Sequence, residues 1–352
     1  MSTVPTPSSS ILTAPRLVFL DALRVLAILL VIILHAMAPV LVDTKHLGHP
    51  GWYLCLLQNP FNRAGVPLFF MISGFLLLQD PAIHTPLSFY RRRLPRLLLP
   101  LAVWNGIYLL LRTHPDSFRS GLADYFRTLL TTGSCYHMWF LYTILGIYLV
   151  APVLGFLAQH GGRSYLMILL AVAVFPTSIL PLINCVLPFQ AVVYTPMAEG
   201  LLGYFILGFL LGTTEVPRPA RMAVYLAGGA GYFMDLVTDL ATSTAQSIPL
   251  PSQSGYRLSH YFVAAALFLW VRTFLQTHPR TEQAVARPLA HLSRLSFGVF
   301  WVHILLLEFI ARLLGTGWTT VPYLCVQISL TILLSFLLMG IISRFPFAKL
   351  LL

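Results

Sequence analysis

The stretch FLDALRVLAILLVIILHAMAP, residues 19–39, carries an acid, a base and an imidazole in a run apolar enough to cross a bilayer. At 100° per residue, Arg24 and His35 lie about 20° apart around a helix and about 16 Å apart along it. Asp21 and His35 differ by about 40° on the same arithmetic. The three therefore share one face, and that face must turn into protein, because a charge facing lipid costs several kcal/mol. Asp21 and Arg24, at i and i+3, can pair and lower that cost; the pair reads equally well as an anchor at the membrane edge. An imidazole titrates near neutral pH and suits proton transfer. Deep in a span, His35 is the first candidate for chemistry.

A second group lies in WYLCLLQNPFNRAGVPLFFMISGFLLL, residues 52–78, where Pro60, Asn62, Arg63, Gly65 and Pro67 interrupt the apolar run. Proline breaks the helical ladder, and irregular backbone at that depth is tolerated only against protein or a wet cavity. Arg63 is then an intramembrane cation able to bind an anionic or carbonyl oxygen. The alternative is an edge arginine reaching up to headgroups. FYRRRLPRLLLPL, residues 89–101, places Arg91, Arg92, Arg93 and Arg96 just before a span. They read either as a phosphate clamp for an anionic cytosolic cofactor or as the basic inner loop that fixes topology.

Weaker signals are His137, Trp139 and Tyr142 at the start of a later run, where an aromatic belt accounts for the Trp and Tyr. His303 and Glu308 are five residues apart, so they occupy different faces of one helix and are separate candidates for buried partners. Asp235 and Asp239 share a face near the outer end of their run and are read as water-facing. The histidines are scattered and HExxH is absent, so no metal is expected and a metal hydrolase is a distant reading.

The elements that must position these residues follow from composition. The chain has 352 residues, 57% hydrophobic and 9% charged, against about 25% charged in a soluble domain. That implies an all-α polytopic membrane bundle; period-2 alternation is absent, which argues against a β-barrel. Ten apolar runs occur, at 17–41, 52–78, 97–112, 138–158, 165–183, 200–214, 222–240, 260–276, 295–314 and 321–343. With the N-terminus inside, fourteen Lys and Arg fall on inner segments and seven on outer ones, which predicts both termini in the cytoplasm. The net charge of +11 sits between the runs and suits anionic headgroups. No RNP, zinc-finger or helix-turn-helix pattern supports nucleic acid.

Residues 1–15, rich in Ser, Thr and Pro, are expected to form a disordered tail. Residues 16–346 form a single transmembrane domain, and 347–352 a short cytoplasmic tail. Ala36-Met37-Ala38 imitates a cleavage site, but the run before it is too long and charged for a signal peptide. Cys55, Cys135, Cys185 and Cys325 fall near outer ends, where a disulfide is permitted; small apolar residues in helices are the favoured reading.

Taken in order over residues 16–343, six pieces resemble the acyltransferase 3 family of integral membrane acyltransferases. They are LDALRVLAILLVIILH, RAGVPLFFMISGFLLL, RRRLPRLLLPL, HMWFLYTILGIYLVAPVL, GYFILGFLLG and SFGVFWVH. The nearest likeness is to stand-alone members that O-acetylate bacterial surface polysaccharide; the length excludes members fused to an esterase-like domain. The resemblance implies ten helices in a bacterial inner membrane. It also implies transfer of an acyl group, usually acetyl from acetyl-CoA, to a hydroxyl of a glycan or its lipid-linked precursor.

By the same resemblance His35 matches the essential first-span histidine, Arg24 and Asp21 the inner end of its motif, and Arg63 the second-span arginine. Arg93 and Arg96, flanked by Arg91 and Arg92, match the basic pair. His137, Trp139, Glu308 and His303 are expected to contact substrate. His35 is expected to act as general base or as covalent acyl carrier. A secondary transporter also uses broken helices and buried charges, but predicts inverted-repeat halves, which the sequence lacks. A non-catalytic scaffold leaves His35 and Arg63 without a reason.

Overall fold

The computed structural model describes residues 17–112, 121–131, 133–184, 187, 189, 192, 200–244, 247–248, 257–315, 320–346 and 348. The expected tails at 1–15 and 347–352 lie outside the described residues, Ala348 excepted, as does Cys185. Among the described residues there is no strand. Fourteen α-helices follow in order. They are α1 (Val18–Val42), α2 (Pro50–Asn62), α3 (Gly65–Leu77), α4 (Pro86–Arg93), α5 (Pro95–Arg112), α6 (Gly121–Leu130) and α7 (Trp139–Phe156). Then come α8 (Gly162–Val174), α9 (Leu180–Asn184), α10 (Leu201–Thr213), α11 (Arg218–Thr242), α12 (Leu258–Thr277), α13 (Pro279–Leu314) and α14 (Val321–Ile342). Proline in the first turn opens α2, α4, α11, α13 and α14, where its missing N–H has no intrahelical partner to lose.

Each of the ten apolar runs coincides with helix, but among the described residues seven helical stretches are long and apolar enough to cross a membrane. Three physical differences separate seven from ten. One stretch, Tyr136–Asn184, contains two runs and is broken at Gly162, whose φ of 75° suits glycine alone. Helix α10 has only 13 residues, about 20 Å. Helix α11 has 25 residues, but Arg218, Arg221, Asp235 and Asp239 dilute its apolarity. Helix α13 also departs from expectation. It starts at Pro279 rather than near residue 295 and runs for 36 residues, about 54 Å, well beyond a bilayer core.

Helix α1 lies inside the bundle, packed on α2, α3, α12, α13 and α14. That central position turns its polar face inward, and Asp21 is 3% exposed. Phe19 meets Phe75 and Phe268 edge-on. Helix α3 packs closest against α10. A Cβ at Gly74 would enter the backbone of Phe205, and one at Gly208 the backbone of Met71. Small residues of this kind let membrane helices touch backbone to backbone.

Candidate functional site

The interrupted second run resolves into two helices joined at Arg63. Pro60 sits near the end of α2 and Pro67 in the first turn of α3. The ladder is interrupted between them, and Arg63 closes α2 through its N–H to the Asn59 carbonyl (3.1 Å). The Arg63 side chain is fixed by the same residue, Nε donating to Asn59 Oδ1 (3.2 Å). Asn59 Nδ2 in turn donates to Asp239 Oδ2 (3.0 Å), and Asp239 is fully buried on α11.

Arg63 lines a cavity of about 300 Å³ together with His35, His137, Trp139, Phe140 and Phe300. Five elements far apart in sequence meet here: α1, the α2–α3 junction, the start of α7, α10 and α13. His303, fully buried on α13, backs the cavity. Its Nδ1 lies 2.7 Å from the Phe300 carbonyl, and its Nε2 lies 3.2 Å from His35 Nδ1.

His35 also meets the Val31 carbonyl, and one pair of neutral tautomers is consistent with these contacts. A carbonyl oxygen only accepts, so His303 Nδ1 carries a proton and donates to it. In the neutral ring Nε2 is then bare, and it accepts from His35 Nδ1–H. The lone pair of His35 is left on Nε2, on a ring that faces the cavity. The arrangement is a relay of two imidazoles anchored on a backbone carbonyl, and it follows the logic by which a base is oriented by a third group.

His137 completes the cluster, its ring 5.4 Å from that of His303. Its Nδ1 lies 3.1 Å from Cys135 Sγ, and its Nε2 is buried without a hydrogen-bond partner among the described residues. Tyr108 packs edge-on against His137 at 5.2 Å and donates to the Trp301 carbonyl (2.7 Å). Cys55, Cys135 and Cys325 are free thiols. Among the described residues no three His, Cys, Asp or Glu side chains are grouped to hold a metal.

A second cavity, also about 300 Å³, lies toward the other end of α1, lined by Arg24, Ser73, Tyr148, Ser293 and Arg294 with several phenyl rings. Phe140 and Phe300 belong to both linings. Nearby, Arg91, Arg92 and Arg96 are exposed, whereas Arg93 forms an ion pair with Asp80. Asp80 also caps the turn that follows α3, accepting from the Ala82 N–H (2.9 Å). Burial opposes ionisation of Asp80, but the hydrogen bonds from Arg93 and Ala82 and the charges of Arg93 and Arg92 outweigh it. The carboxyl is held below its ordinary value.

The sequence candidates thus divide. His35, Arg63, His137 and Trp139 line one cavity, with His303 directly behind. Arg24 belongs to the second cavity. Asp21 is buried near the start of α1. Glu308 does not line the His35 cavity; it pairs with Arg112 at a half-exposed position. His303 and Glu308 point to different surroundings, as their five-residue spacing predicts. Asp235 and Asp239, read as water-facing, are both 0% exposed. Asp235 accepts from Ser259 Oγ (2.7 Å) and lies 3.2 Å from His260 Nε2 and 3.5 Å from Arg257 Nη1. The reason is helix packing: α11 turns that face onto α12 and α2. Reasoning from the sequence did not single out Asn59, Phe140 or Phe300, and it read Cys135 only as one of four cysteines near outer ends; a polar residue four before Arg63 was the available signal for Asn59.

Comparison with known families gives one match: a profile described as an acyltransferase domain covers residues 17–340. Searches of curated proteins and of solved structures returned no match. The matched region takes in every residue that lines the two cavities. On that extent, the chain belongs to the acyltransferase 3 family of integral membrane acyltransferases.

Proposed function

We propose that the protein moves an acyl group, most simply acetyl, from cytosolic acyl-CoA to a hydroxyl of a cell-surface glycan or its lipid-linked precursor. In this reading ten segments cross a bacterial inner membrane and both termini are cytoplasmic, as the bias of basic residues toward one side favours. The observation that carries it is the His35–His303 imidazole contact at the wall of a cavity that also holds Arg63.

The acceptor hydroxyl gives its proton to His35 Nε2 as its oxygen attacks the thioester carbonyl. His35 becomes imidazolium, and its Nδ1–H strengthens its bond to His303 Nε2. Arg63, held by Asn59, faces the developing oxyanion. Collapse breaks the carbon–sulfur bond, and His35 returns the proton to the leaving thiolate. The exposed Arg91, Arg92 and Arg96 suit the phosphates of the donor, and Arg93 is committed to Asp80. Trp139 and His137 offer a stacking face and a polar edge to a sugar.

The test is mass spectrometry of surface glycans from cells with and without the gene, paired with thiol release from acetyl-CoA by the purified protein in lipid. An added acetyl or other acyl mass and acceptor-dependent CoA release are expected. Solute flux without CoA release would replace this reading with a transporter.

A further inference from the structure

The two cavities stand end to end along α1, about 16 Å of helix separating Arg24 from His35, and they share one wall. That wall is Phe140 from α7 and Phe300 from α13, ring centroids 5.4 Å apart. Phe140 is braced by Phe69 at 5.9 Å and Phe70 at 5.2 Å. Phe300 is braced on the far side by His137 at 5.1 Å. The two rings differ in consequence: Phe300 touches the histidine cluster, whereas the ring contacts of Phe140 are to other phenyl groups. Neither ring carries a polar atom, so a swing of Phe140 breaks no hydrogen bond and loses only packing contacts.

Resting on the acyltransfer reading above, we propose that Phe140 and Phe300 form a movable partition that selects acyl donors by cross-section. A thioester arm entering from the basic end reaches His35 only by passing between these rings. Straight acyl chains of different length present the same narrow profile there. A branched or aryl acyl group presents a wider one and must displace the braced rings. Length is limited elsewhere, by the space beside His35. The partition therefore discriminates width from length, which a single terminal pocket does not.

The experiment uses the full chain in lipid nanodiscs, with acetyl-CoA, butyryl-CoA and benzoyl-CoA as donors and extracted bacterial surface polysaccharide as acceptor; CoA release is measured. Phe140→Ala is expected to raise the benzoyl-to-butyryl ratio of kcat/KM about tenfold or more, the scale on which an apolar pocket rejects misfit groups. Phe140→Leu should fall between. Phe140→Trp should lower the ratio. A ratio is insensitive to the fraction of protein that is folded, and the three variants guard against one that fails to assemble. Equal ratios in wild type and all folded variants would overturn the partition while leaving acyl transfer intact. No release from any donor by the wild type would sink the acyltransfer reading, and this inference with it.

Discussion

Two buried polar clusters lie side by side in this bundle, and they end differently. The aspartates of α11 are answered by fixed partners: Asp235 meets Ser259, His260 and Arg257, and Asp239 meets Asn59, which in turn holds Arg63 at the cavity. Neither aspartate lines the His35 cavity. The histidine relay runs in one direction, from the Phe300 carbonyl through His303 to His35, and its last lone pair lies on a ring at the cavity wall. Burial of charge alone thus does not mark chemistry. An acid surrounded by donors holds helices and neighbouring side chains in place, whereas an imidazole at a cavity wall can receive a proton.

The sharpest way to break this distinction is His35→Ala. It should reduce acyl transfer by about 10²–10⁴-fold, the usual contribution of a positioned general base, with melting behaviour in lipid preserved. Normal CoA release by that variant would remove His35 from the chemistry. Asp235→Asn should do the opposite. Removing one partner of a buried ion cluster costs about 3–5 kcal/mol, so thermal stability should fall steeply. The molecules that stay folded should retain transfer activity, measured per folded molecule, within about twofold. A large loss of specific activity would show that Asp235 belongs to the site after all.

His303→Phe keeps roughly the volume but removes the imidazole that meets His35 Nδ1, leaving the Val31 carbonyl as the polar neighbour of His35. Misorientation of a base by a small displacement costs about 10²-fold, so kcat should fall by that order with the KM for donor little changed. An unaltered kcat would reduce His303 to packing. The smallest effect belongs to the basic end. Asp80 titrates below its ordinary value of 3.8, so its pair with Arg93 stabilises the protein above that pH and ceases to as pH falls through the lower folded value. Asp80→Asn should destabilise by less than about 1 kcal/mol at pH 7. Melting curves of variant and wild type should converge in strong acid.

Much of this was legible in the sequence for a physical reason. An ionisable residue in an apolar run must be answered by other protein groups, so Asp21, Arg24, His35 and Arg63 announced an interior face before any packing was known. The break at Arg63 was legible too, since Pro60 and Pro67 leave the backbone no continuous ladder. What pairs with what was not legible. His35 and His303 are 268 residues apart, and no spacing rule brings α1 beside α13. The face of Asp235 and Asp239 was correctly seen as one face, but whether it met water or α12 depended on packing. Helix α10 shows the limit on counting spans: a 13-residue apolar helix has the composition of a span and two-thirds of its length.

The backbone contact of α3 with α10 carries a last consequence, for genetics. Gly74 and Gly208 line neither the His35 cavity nor the Arg24 cavity, yet even alanine at either would wedge two helices apart, one of which begins beside Arg63. A saturation library selected for activity should therefore be emptied at these two codons as thoroughly as at His35, and readers of such data would be wrong to place either glycine near the substrate.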